Sequence, residues 1–489
     1  MTALQTPVLQ LLAFGALALT TVAGADSKVT QPLASPSAVS PLGFLDGAVV
    51  VDLEERARFE IHNNHRDFDA SINDDNDDND DNDDNDDSWL IHRFRLGVAL
   101  KPASRLKIYA QGQDTREWDS DRTDVPGVRS NEGGDSFDLR QAYFEIGDSK
   151  RFPLSITVGR QRLSYGDTRL VADSRWNNYG RTFDAMKLRF EVTKFWVHAF
   201  AARPVQFKQD VFNDPDAADN FFGLYASSEA LRFQTTEFYF FYRDKGDNQP
   251  DLNPANTFDP QGASTGPAQR LSTLGTRWKS GPALGAWDYT VEVAFQFGDV
   301  WLTDRSSREF DQWAFAGHVS GGSTFRAAAW KPRLGLAYNY ASGDGGPNDG
   351  RSATFQNLFP SNHAKFGDLD TFGRRNLHNL RFQPSARPTK LVEVELTYNA
   401  NWLADTHDYW YRSNGVNTQR TLTPDGRDVR TIGANSFAGH ELDFIVRWKP
   451  QPWLHLDTGD AHFFAGTYLR DTGPSDDADL GYVQAQVLF

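Results

Sequence analysis

The last twelve residues of the chain, 478–489, read Ala-Asp-Leu-Gly-Tyr-Val-Gln-Ala-Gln-Val-Leu-Phe. Every second residue from Gly481 to Phe489 is apolar or glycine, while Tyr482, Gln484 and Gln486 occupy the alternate positions. A β-strand places alternate residues on opposite faces, so one face of this strand is apolar and the other is polar. A strand between lipid and a water-filled lumen needs this pattern, with aromatic residues at the membrane interface. The segment therefore predicts the closing strand of a membrane-spanning β-barrel.

The composition excludes several other classes of protein. The 489 residues contain no cysteine, so disulfides, thiolate metal sites and cysteine nucleophiles are ruled out. Mean hydropathy is -0.57, and after residue 25 no apolar run approaches the roughly 20 residues that a membrane helix needs. The formal net charge of -16 argues against nucleic acid as a partner. A high aromatic content of 13% suits the outer wall and interfacial girdles of a barrel.

The N-terminal region has the features of an export signal. The stretch Val8–Val22 is apolar and is followed by Ala23-Gly24-Ala25, which resembles a small-residue cleavage site. We therefore expect residues 1–25 to be a signal peptide. Residues 26–47 are rich in Ser, Pro and Ala and predict a flexible periplasmic lead-in. The barrel would occupy residues 48–489.

About eighteen strand-like runs follow one another along the chain, and their connections alternate between short and long. Lys331-Pro332 is a short connection, whereas Gly343–Arg375 is a long one. Up-and-down barrels have short periplasmic turns and long outer loops. A soluble antiparallel sheet can also alternate in polarity, but this many strands would need a second layer that the sequence does not supply. The sequence predicts an all-β, transmembrane, antiparallel up-and-down β-barrel of about 18 strands in the outer membrane of a Gram-negative bacterium.

The polar faces of the predicted strands carry many cations, with carboxylates interleaved. The candidate lumen cations from this pattern are Arg93, Arg95, Lys187, Arg189, Arg277 and Arg447. The candidate lumen acids are Glu54, Glu191, Glu393, Glu441 and Asp443. Rings of Arg and Lys in a pore select for anions. The alternative is that these charges pair with one another and confer no selectivity.

Several stretches resemble the alginate export family of outer-membrane barrels. They include Leu139-Arg140-Gln141-Ala142-Tyr143-Phe144-Glu145, Val158-Gly159-Arg160-Gln161-Arg162-Leu163, and the segment 176–185 that begins Trp-Asn-Asn-Tyr-Gly-Arg. Residues 358–363 and 372–378 resemble relatives in the wider family. The resemblance implies an eighteen-stranded barrel with an electropositive pore that passes an anionic polysaccharide outward. It adds Arg140, Arg160 and Arg162 to the candidate lumen cations, and places Arg140 and Arg162 at the constriction.

The chain departs from the family pattern at two places. Gln141 stands where the family has an acid after the first Arg, so one fixed counter-charge is missing. Exporters of this family can carry a long periplasmic turn before the penultimate strand, but here that connection is only Lys449–Pro452. These departures bear on gating and on whether alginate itself is the polymer.

Two further features remain open to more than one interpretation. The Asp-Asp-Asn repeats of Asn73–Asp87 predict either a solvated, self-repelling loop or a weak divalent-cation site, with loop-bound Ca²⁺ held by carboxylate oxygens. The candidate ligands are Asp74, Asp75, Asp77, Asp78, Asp80 and Asp81. No His-Glu-x-x-His or P-loop motif is present, although His363, His378 and His407 lie in or beside long predicted loops.

The sequence therefore favours a passive pore for export of an anionic, alginate-like polysaccharide through an Arg-lined lumen, with no resident cofactor and no catalytic residues. The expected partners are the anionic polysaccharide or oligosaccharide, outer-membrane lipid and periplasmic export proteins. A general or uptake porin for small anionic solutes or oligosaccharides is the alternative, and a loop-borne enzyme is a third hypothesis.

Overall fold

A computed structural model shows a closed antiparallel β-barrel of eighteen strands. The structure describes residues 42–65, 68–70, 87–120, 134–148, 152–208, 210–246, 268–281, 287–301, 309–346, 349–413 and 420–489. Among these residues, no helix has the length and apolar character to cross a bilayer. The predicted signal peptide, most of the lead-in and all six candidate Asp ligands lie outside the described residues.

The barrel strands, numbered in chain order, have the following bounds. The first nine are β1 Val49–Asn63, β2 Asp87–Ala103, β3 Leu106–Trp118, β4 Asp135–Asp148, β5 Phe152–Gln161, β6 Phe183–Val192, β7 Phe195–Gln206, β8 Asp219–Ser228 and β9 Thr235–Lys245. The others are β10 Gln269–Lys279, β11 Trp287–Trp301, β12 Glu309–Thr324, β13 Arg333–Ala341, β14 Leu377–Ala386, β15 Val392–Leu403, β16 Phe437–Gln451, β17 Leu454–Ala465 and β18 Ala478–Leu488. Three shorter strands, Leu42–Phe44, Asp214–Pro215 and Arg351–Ser352, pair at the ends of barrel strands.

Each barrel strand pairs antiparallel with its neighbour in sequence, and the first strand closes on the last. Ala57 of β1 lies opposite Ala485 of β18, and Arg56 of β1 lies opposite Arg93 of β2. Closure removes the free edges that an open sheet would leave unpaired. The predicted fold class and strand number are confirmed.

The two faces of the strands differ as the C-terminal stretch predicted. On β18, Val483 is 62% exposed on the outer face, whereas Tyr482 is buried on the inner face. The same outward exposure of apolar residues recurs on β1, where Phe59 and Ile61 alternate with buried Arg58. An outer apolar face and an inner polar face are the arrangement of a transmembrane barrel.

The connections alternate between turns at one end and loops at the other. The turns are 104–105, 149–151, 193–194, 229–234, 280–286, 325–332, 387–391 and 452–453, and the loops are longer, up to the 342–376 loop. The 302–308 loop is the exception, since it is no longer than the 325–332 turn. By the usual rule the turns face the periplasm and the loops face the exterior.

Apolar side chains fill part of the lumen. Buried Phe183, Phe200, Phe221 and Phe241 lie on the inward rows of β6 to β9 and form one cluster. Phe359 of the 342–376 loop packs against Phe221 with ring centroids 4.9 Å apart. The barrel therefore has an interior core that the inward-folded loops complete.

Two sequence predictions differ from the structure. The strand predicted over Leu454–Leu469 ends at Ala465, and a short helix, α1 Thr467–Thr472, follows. Gly466 marks the break because a Cβ there would overlap the backbone of Ala438. The end of the predicted flexible lead-in is ordered, since Leu42–Phe44 pairs with residues 49–51 of β1.

Candidate functional site

The 162–182 loop folds into the barrel, and arginines of the wall hold its backbone. These arginines lie on the inward rows of β1 and β2, and each is at most 4% exposed. Their hydrogen bonds run from Arg56 Nη1 to Trp176 O (2.9 Å), from Arg58 Nη1 to Trp176 O (2.9 Å), from Arg93 Nη1 to Asn177 O (2.8 Å) and from Arg95 Nη2 to Tyr179 O (3.1 Å). Charged donors to buried carbonyls make stronger hydrogen bonds than neutral donors. The predicted lumen cations Arg93 and Arg95 therefore hold a loop in place.

Glu54 supplies the counter-charge for this arginine cluster. Its Oε1 accepts from Arg93 Nε at 2.8 Å, and its Oε2 accepts from Arg95 Nη1 at 3.3 Å. A buried charge without a partner is costly, so the carboxylate stabilises two neighbouring guanidinium groups at once. Glu54, predicted as a lumen acid, therefore lies beside Arg93 and Arg95, predicted as lumen cations.

Arg140 reaches the same cluster through a β-bulge in β4. Gln141 pairs with Gln111 and Leu139 pairs with Gly112, so Arg140 has no opposing residue. A bulge re-aims a side chain, and Arg140 and Gln141 are consecutive residues that are both buried. Arg140 Nε donates to Gln113 Oε1 at 3.0 Å. Its Nη1 and Nη2 have no hydrogen-bond partner among the described residues.

The exposed cations of the lumen belong to the loop itself. Arg162 and Arg175 both contact Asp173 Oδ2 at 3.2 Å, yet their side chains are 44% and 71% exposed. They line a chamber of about 260 Å³ together with Lys187 and Glu145. The pKa of Asp173 lies below its ordinary value. Burial raises this pKa, but attraction to Arg175, Arg162 and Arg140 lowers it by a larger amount.

This chamber has an excess of positive charge. Three cations, Arg162, Arg175 and Lys187, face the two acids Asp173 and Glu145, and the buried guanidinium of Arg140 lies close enough to affect the pKa of Asp173. Arg162 and Lys187, both predicted as lumen cations, line this chamber.

Arg160 lies elsewhere than the sequence suggested. Its neighbours are outward-facing residues, including Met186 and Phe222, which line an external groove. Arg160 Nε donates to Asp184 Oδ1 at 2.8 Å, and Arg160 Nη2 donates to Asp184 Oδ2 at 3.2 Å. Strand alternation is the reason, because Arg160 shares its face with Val158 and is opposite in direction to Gln161. The sequence prediction that Arg160 is a lumen cation is therefore corrected, because its side chain lies on the outer face.

The remaining predicted cations lie on inward rows, and each has a carboxylate partner. The pairs are Arg189 Nε to Glu191 Oε2 (2.8 Å), Arg277 Nε to Glu237 Oε2 (2.6 Å), and Arg447 Nη1 to Glu395 Oε2 (3.0 Å) and Glu393 Oε1 (3.5 Å). Arg277 is only 3% exposed. These residues fit the alternative in which lumen charges pair with one another.

Two predicted lumen acids, Glu441 and Asp443, are deeply buried under the 342–376 loop. Glu441 Oε1 accepts from the backbone N of Leu369 at 2.8 Å. Asp443 Oδ2 accepts from Asn399 Nδ2 at 3.0 Å. Both carboxylates therefore help to anchor the interior of the barrel and are removed from any solute path.

The 162–182 loop and the 342–376 loop meet inside the barrel. Ala172 N donates to Phe359 O at 2.8 Å. Trp176 lies between two partners: the Arg58 guanidinium carbon is 3.6 Å from its ring centroid, and the His363 ring is stacked at 3.7 Å. His363 Nδ1 lies 2.9 Å from Asp370 Oδ2. Burial lowers the pKa of His363, but the charge and hydrogen bond of Asp370 outweigh it, so this pKa lies above its ordinary value.

The three histidines considered for catalysis lie on different parts of the molecule. His363 is between the two loops, His378 lies on the outward face of β14 within 2.5 Å of the Tyr338 hydroxyl, and His407 is exposed beside Asp405. Among the described residues, no group of three or more His, Asp or Glu side chains is arranged to hold a metal ion.

Sequence reasoning missed Arg175 and the position of Trp176 between Arg58 and His363. Both residues lie in a long connection, where no strand period tells which way a side chain points. The only signal was that Trp176 begins one of the quoted family stretches.

A family model described as alginate export matches residues 67–483. The chain belongs to the alginate export family. No curated protein sequence is similar enough to the chain to count as a match. The barrel is similar to outer-membrane proteins of Pseudomonas aeruginosa whose structures are solved. OccK2 (OpdF) has a TM-score of 0.54 and 12% identity, with 91% of this chain and 99% of that chain covered.

OccK5 (OpdH) has a TM-score of 0.53 and 10% identity, covering 92% of this chain and 100% of that chain. OpdK, solved with vanillate, has a TM-score of 0.53 and 10% identity, covering 90% and 98%. At this identity the likeness shows the fold. Together with the family, this likeness identifies the chain as an outer-membrane pore. The family and the fold fit a transport channel rather than an enzyme.

Proposed function

We propose that this alginate-export-family barrel conducts an acidic polysaccharide, alginate-like in charge, through the cationic chamber of its lumen. The observation that carries the proposal is the exposure of Arg162 and Arg175, which share the single carboxylate of Asp173. Their remaining guanidinium donors face the chamber and can donate to a solute carboxylate with charge-assisted hydrogen bonds.

The balance of charge in the chamber suits passage rather than retention. Conduction requires binding that is favourable enough for entry and weak enough for release. Asp173 and Glu145 offset part of the cationic charge and compete with the solute for Arg162, Arg175 and Lys187. A repeating polyanion could exchange one carboxylate for the next at this position. The arginines under the loop keep the chamber wall fixed while this occurs.

A second candidate is a porin for uptake of small anionic solutes. The observation that favours it is the interlocking of the 162–182 and 342–376 loops, which leaves a chamber of only about 260 Å³ beside them. The similar barrel OpdK was solved with vanillate. Uptake would require monomeric acids to permeate while longer chains do not.

The test is single-channel recording with oligo-uronates of increasing length. Loss of one charged hydrogen bond of about 1.4 kcal/mol weakens binding about tenfold. We therefore expect Arg162→Gln and Arg175→Gln each to weaken the block by oligo-uronates by about this factor and to reduce anion selectivity. Arg160→Gln is the matched control, because the same residue type two positions earlier faces outward.

Three results would separate the alternatives. Tighter block with longer chains, lost in the chamber variants but retained in Arg160→Gln, supports the polysaccharide conduit. Permeation by uronate monomers without block by longer chains supports the uptake porin. A pore that is unselective and indifferent to uronates of every length contradicts both.

A further inference from the structure

A groove crosses the outer wall of the barrel over β4 to β8, near the loop end of these strands. Its volume of about 740 Å³ lies within the range of about 300–1,000 Å³ that is usual for small-molecule sites. Most of the strand residues that line it form two rows, one polar and one apolar, and each row runs across the wall from strand to strand. The groove and the cationic chamber are on opposite faces of the wall.

The polar row contains the charged residues of the groove and lies at its loop end. Asp184 is opposite Arg160 on one neighbouring strand and opposite Arg203 on the other. Both carboxylate oxygens of Asp184 accept hydrogen bonds from Arg160. Arg203 donates from Nε to Asn220 Oδ1 at 3.0 Å and forms no ion pair with any residue that the structure describes. Two cations and one acid leave this row with one positive charge, carried by the exposed Arg203.

The apolar row lies one step closer to the middle of the membrane. Val158, Met186, Ala201 and Phe222 are opposite one another on β5 to β8. Met186 and Phe222 project from the wall and are 49% and 43% exposed. The short side chain of Ala201 lies between them and leaves a depression. Within a lipid phase, such a surface recognises an acyl chain by van der Waals fit rather than by the hydrophobic effect.

The segment 210–215 closes the groove at its loop end. Asp210 N donates to Asp135 Oδ1 at 3.0 Å, and Asn213 Nδ2 donates to Asp138 Oδ2 at 2.6 Å. The chain after β7 therefore reaches back to β4 and is fixed there. Phe212, between these two anchors in sequence, lines the groove and is 66% exposed. Because aromatic residues of a transmembrane barrel gather at the membrane interface, the polar row lies at the depth of the lipid headgroups.

We propose that this groove binds a phosphorylated glycolipid of the outer leaflet, with a phosphate group on Arg203 and one acyl chain along the apolar row. By the usual rule the loops face the exterior, so the groove opens to the outer leaflet. A guanidinium group matches the geometry of phosphate oxygens, and hydrogen bonds between charged groups are stronger than neutral ones. The site is on the outer wall and does not depend on what passes through the lumen.

The polar row favours this occupant over two others. A two-fold contact between copies of the chain would bring both Arg203 side chains to one interface, where like charges are unfavourable. A zwitterionic phospholipid carries its own cation, which competes with Arg203 for the phosphate. A phosphorylated glycolipid instead combines anionic phosphate with sugar hydroxyls. Asn220 accepts from Arg203 through Oδ1, and its amide nitrogen is the donor for such a hydroxyl.

Native mass spectrometry of the folded protein in a neutral detergent tests the proposal, because it counts the lipid molecules that each chain retains. The probe is lipid A, and phosphatidylglycerol and phosphatidylcholine are compared with it. We expect one molecule of lipid A to bind at a concentration about tenfold lower than phosphatidylcholine requires, since its phosphate has no competing cation. Phosphatidylglycerol should bind with intermediate affinity.

Two variants test the two rows separately, each with a matched control. Arg203→Gln should weaken the binding of lipid A about tenfold, because one charge-assisted hydrogen bond is lost. Its control is Arg270→Gln, which removes an exposed arginine at the loop end of β10, outside the groove. Ala201→Trp should fill the depression and weaken binding about threefold or more, because carbon contacts with the acyl chain are lost. Its control is Ala199→Trp, two residues away on the same face of β7 and outside the groove.

A single molecule of lipid A that both controls retain and both groove variants lose supports the proposal. Equal binding by a groove variant and its control overturns the site. Binding of phosphatidylglycerol as tight as that of lipid A overturns the glycolipid as the occupant. Dimers that Ala201→Trp disrupts and lipid A leaves unchanged assign the groove to a second copy of the chain and also overturn the proposal. None of these outcomes bears on the conduit, because the chamber is on the other face of the wall.

Discussion

Replacement of Trp176 by alanine tests whether the stacked side chains of the loops hold them inside the barrel. Trp176→Ala removes the contact with the Arg58 guanidinium at 3.6 Å and the stacking with His363 at 3.7 Å. It also removes an edge contact with Tyr482 at 5.1 Å. The hydrogen bonds from Arg56 and Arg58 to the backbone O of residue 176 remain available. The substitution therefore isolates the ring.

The expected cost follows from these contacts. A cation–π contact contributes about 0.5–2 kcal/mol, and each aromatic pair contributes about 0.5–1.5 kcal/mol. Because such terms do not add fully, we expect local opening of the two loops to become easier by about 2–3 kcal/mol. This corresponds to about a 30- to 150-fold larger open population.

Hydrogen exchange of the detergent-solubilised or membrane-embedded protein measures this population. The amide of Ala172 bonds to Phe359 O across the two loops, so its exchange rate should rise by the same factor. Trp313→Ala, on the outer face where Trp313 is 72% exposed, is the matched control and should leave the Ala172 amide unchanged. Unchanged protection of Ala172 in Trp176→Ala would refute the reasoning and assign loop retention to the backbone contacts alone.

Three further perturbations have defined outcomes. The charge and hydrogen bond of Asp370 raise the pKa of His363 above its ordinary value, so the stabilisation is complete below the ordinary pKa and is lost as pH rises through the folded pKa. The protection factors of the loop amides, which divide out the base-catalysed intrinsic exchange rate, should therefore fall from near-neutral to alkaline pH. Gly180→Ala at φ +67 places a Cβ in overlap with Arg140 Nη2, so it should shift the Arg140 guanidinium and cost about 1–2 kcal/mol of left-handed backbone strain, measured by thermal unfolding. Asp173→Asn frees two chamber arginines and should increase anion selectivity in reversal-potential measurements about twofold.

Each of these predictions has a matched control on the exposed loops. His407→Gln should leave the pH profile intact, whereas His363→Gln should flatten it. Gly426→Ala has φ +81 and no atom within 4 Å of the added Cβ, so the difference from Gly180→Ala isolates the clash. Asp425→Asn should leave selectivity unchanged. A control that matches its test variant in any of these measurements contradicts the corresponding prediction.

The barrel itself could be predicted from the sequence because strand faces have a period of two. That period placed Arg93, Arg95 and Arg277 on inward faces, and their side chains are buried in the structure. The number of strands came from counting the strand-like runs. It could not assign Arg140, since the bulge that this residue forms in β4, opposite Gln111 and Gly112, interrupts the alternation. Arg160 entered through the family resemblance, without a test of which face it occupies.

The chemistry of the lumen could be predicted only in part. An inward-facing side chain is not necessarily exposed to water in the lumen. The sequence gives no indication that a loop covers Arg93 and Arg95. The cations that remain accessible include Arg175, which lies within an irregular connection. Contacts between residues more than 100 positions apart, such as Arg56 with Trp176, depend on loop placement that local patterns do not encode.

The arginine-held loop also has a consequence for how the barrel assembles. Arg56 lies on β1, directly beside the seam where β1 meets β18, and the residues that it binds lie about 120 positions away. Contacts of such large sequence separation form late and slowly. In a chain whose loop has not yet entered, Arg56 and Arg58 would lack their hydrogen bonds to the backbone O of Trp176. We therefore expect that closure of the seam and entry of the loop form a single cooperative step, so that an open, half-wound sheet is not a stable resting state.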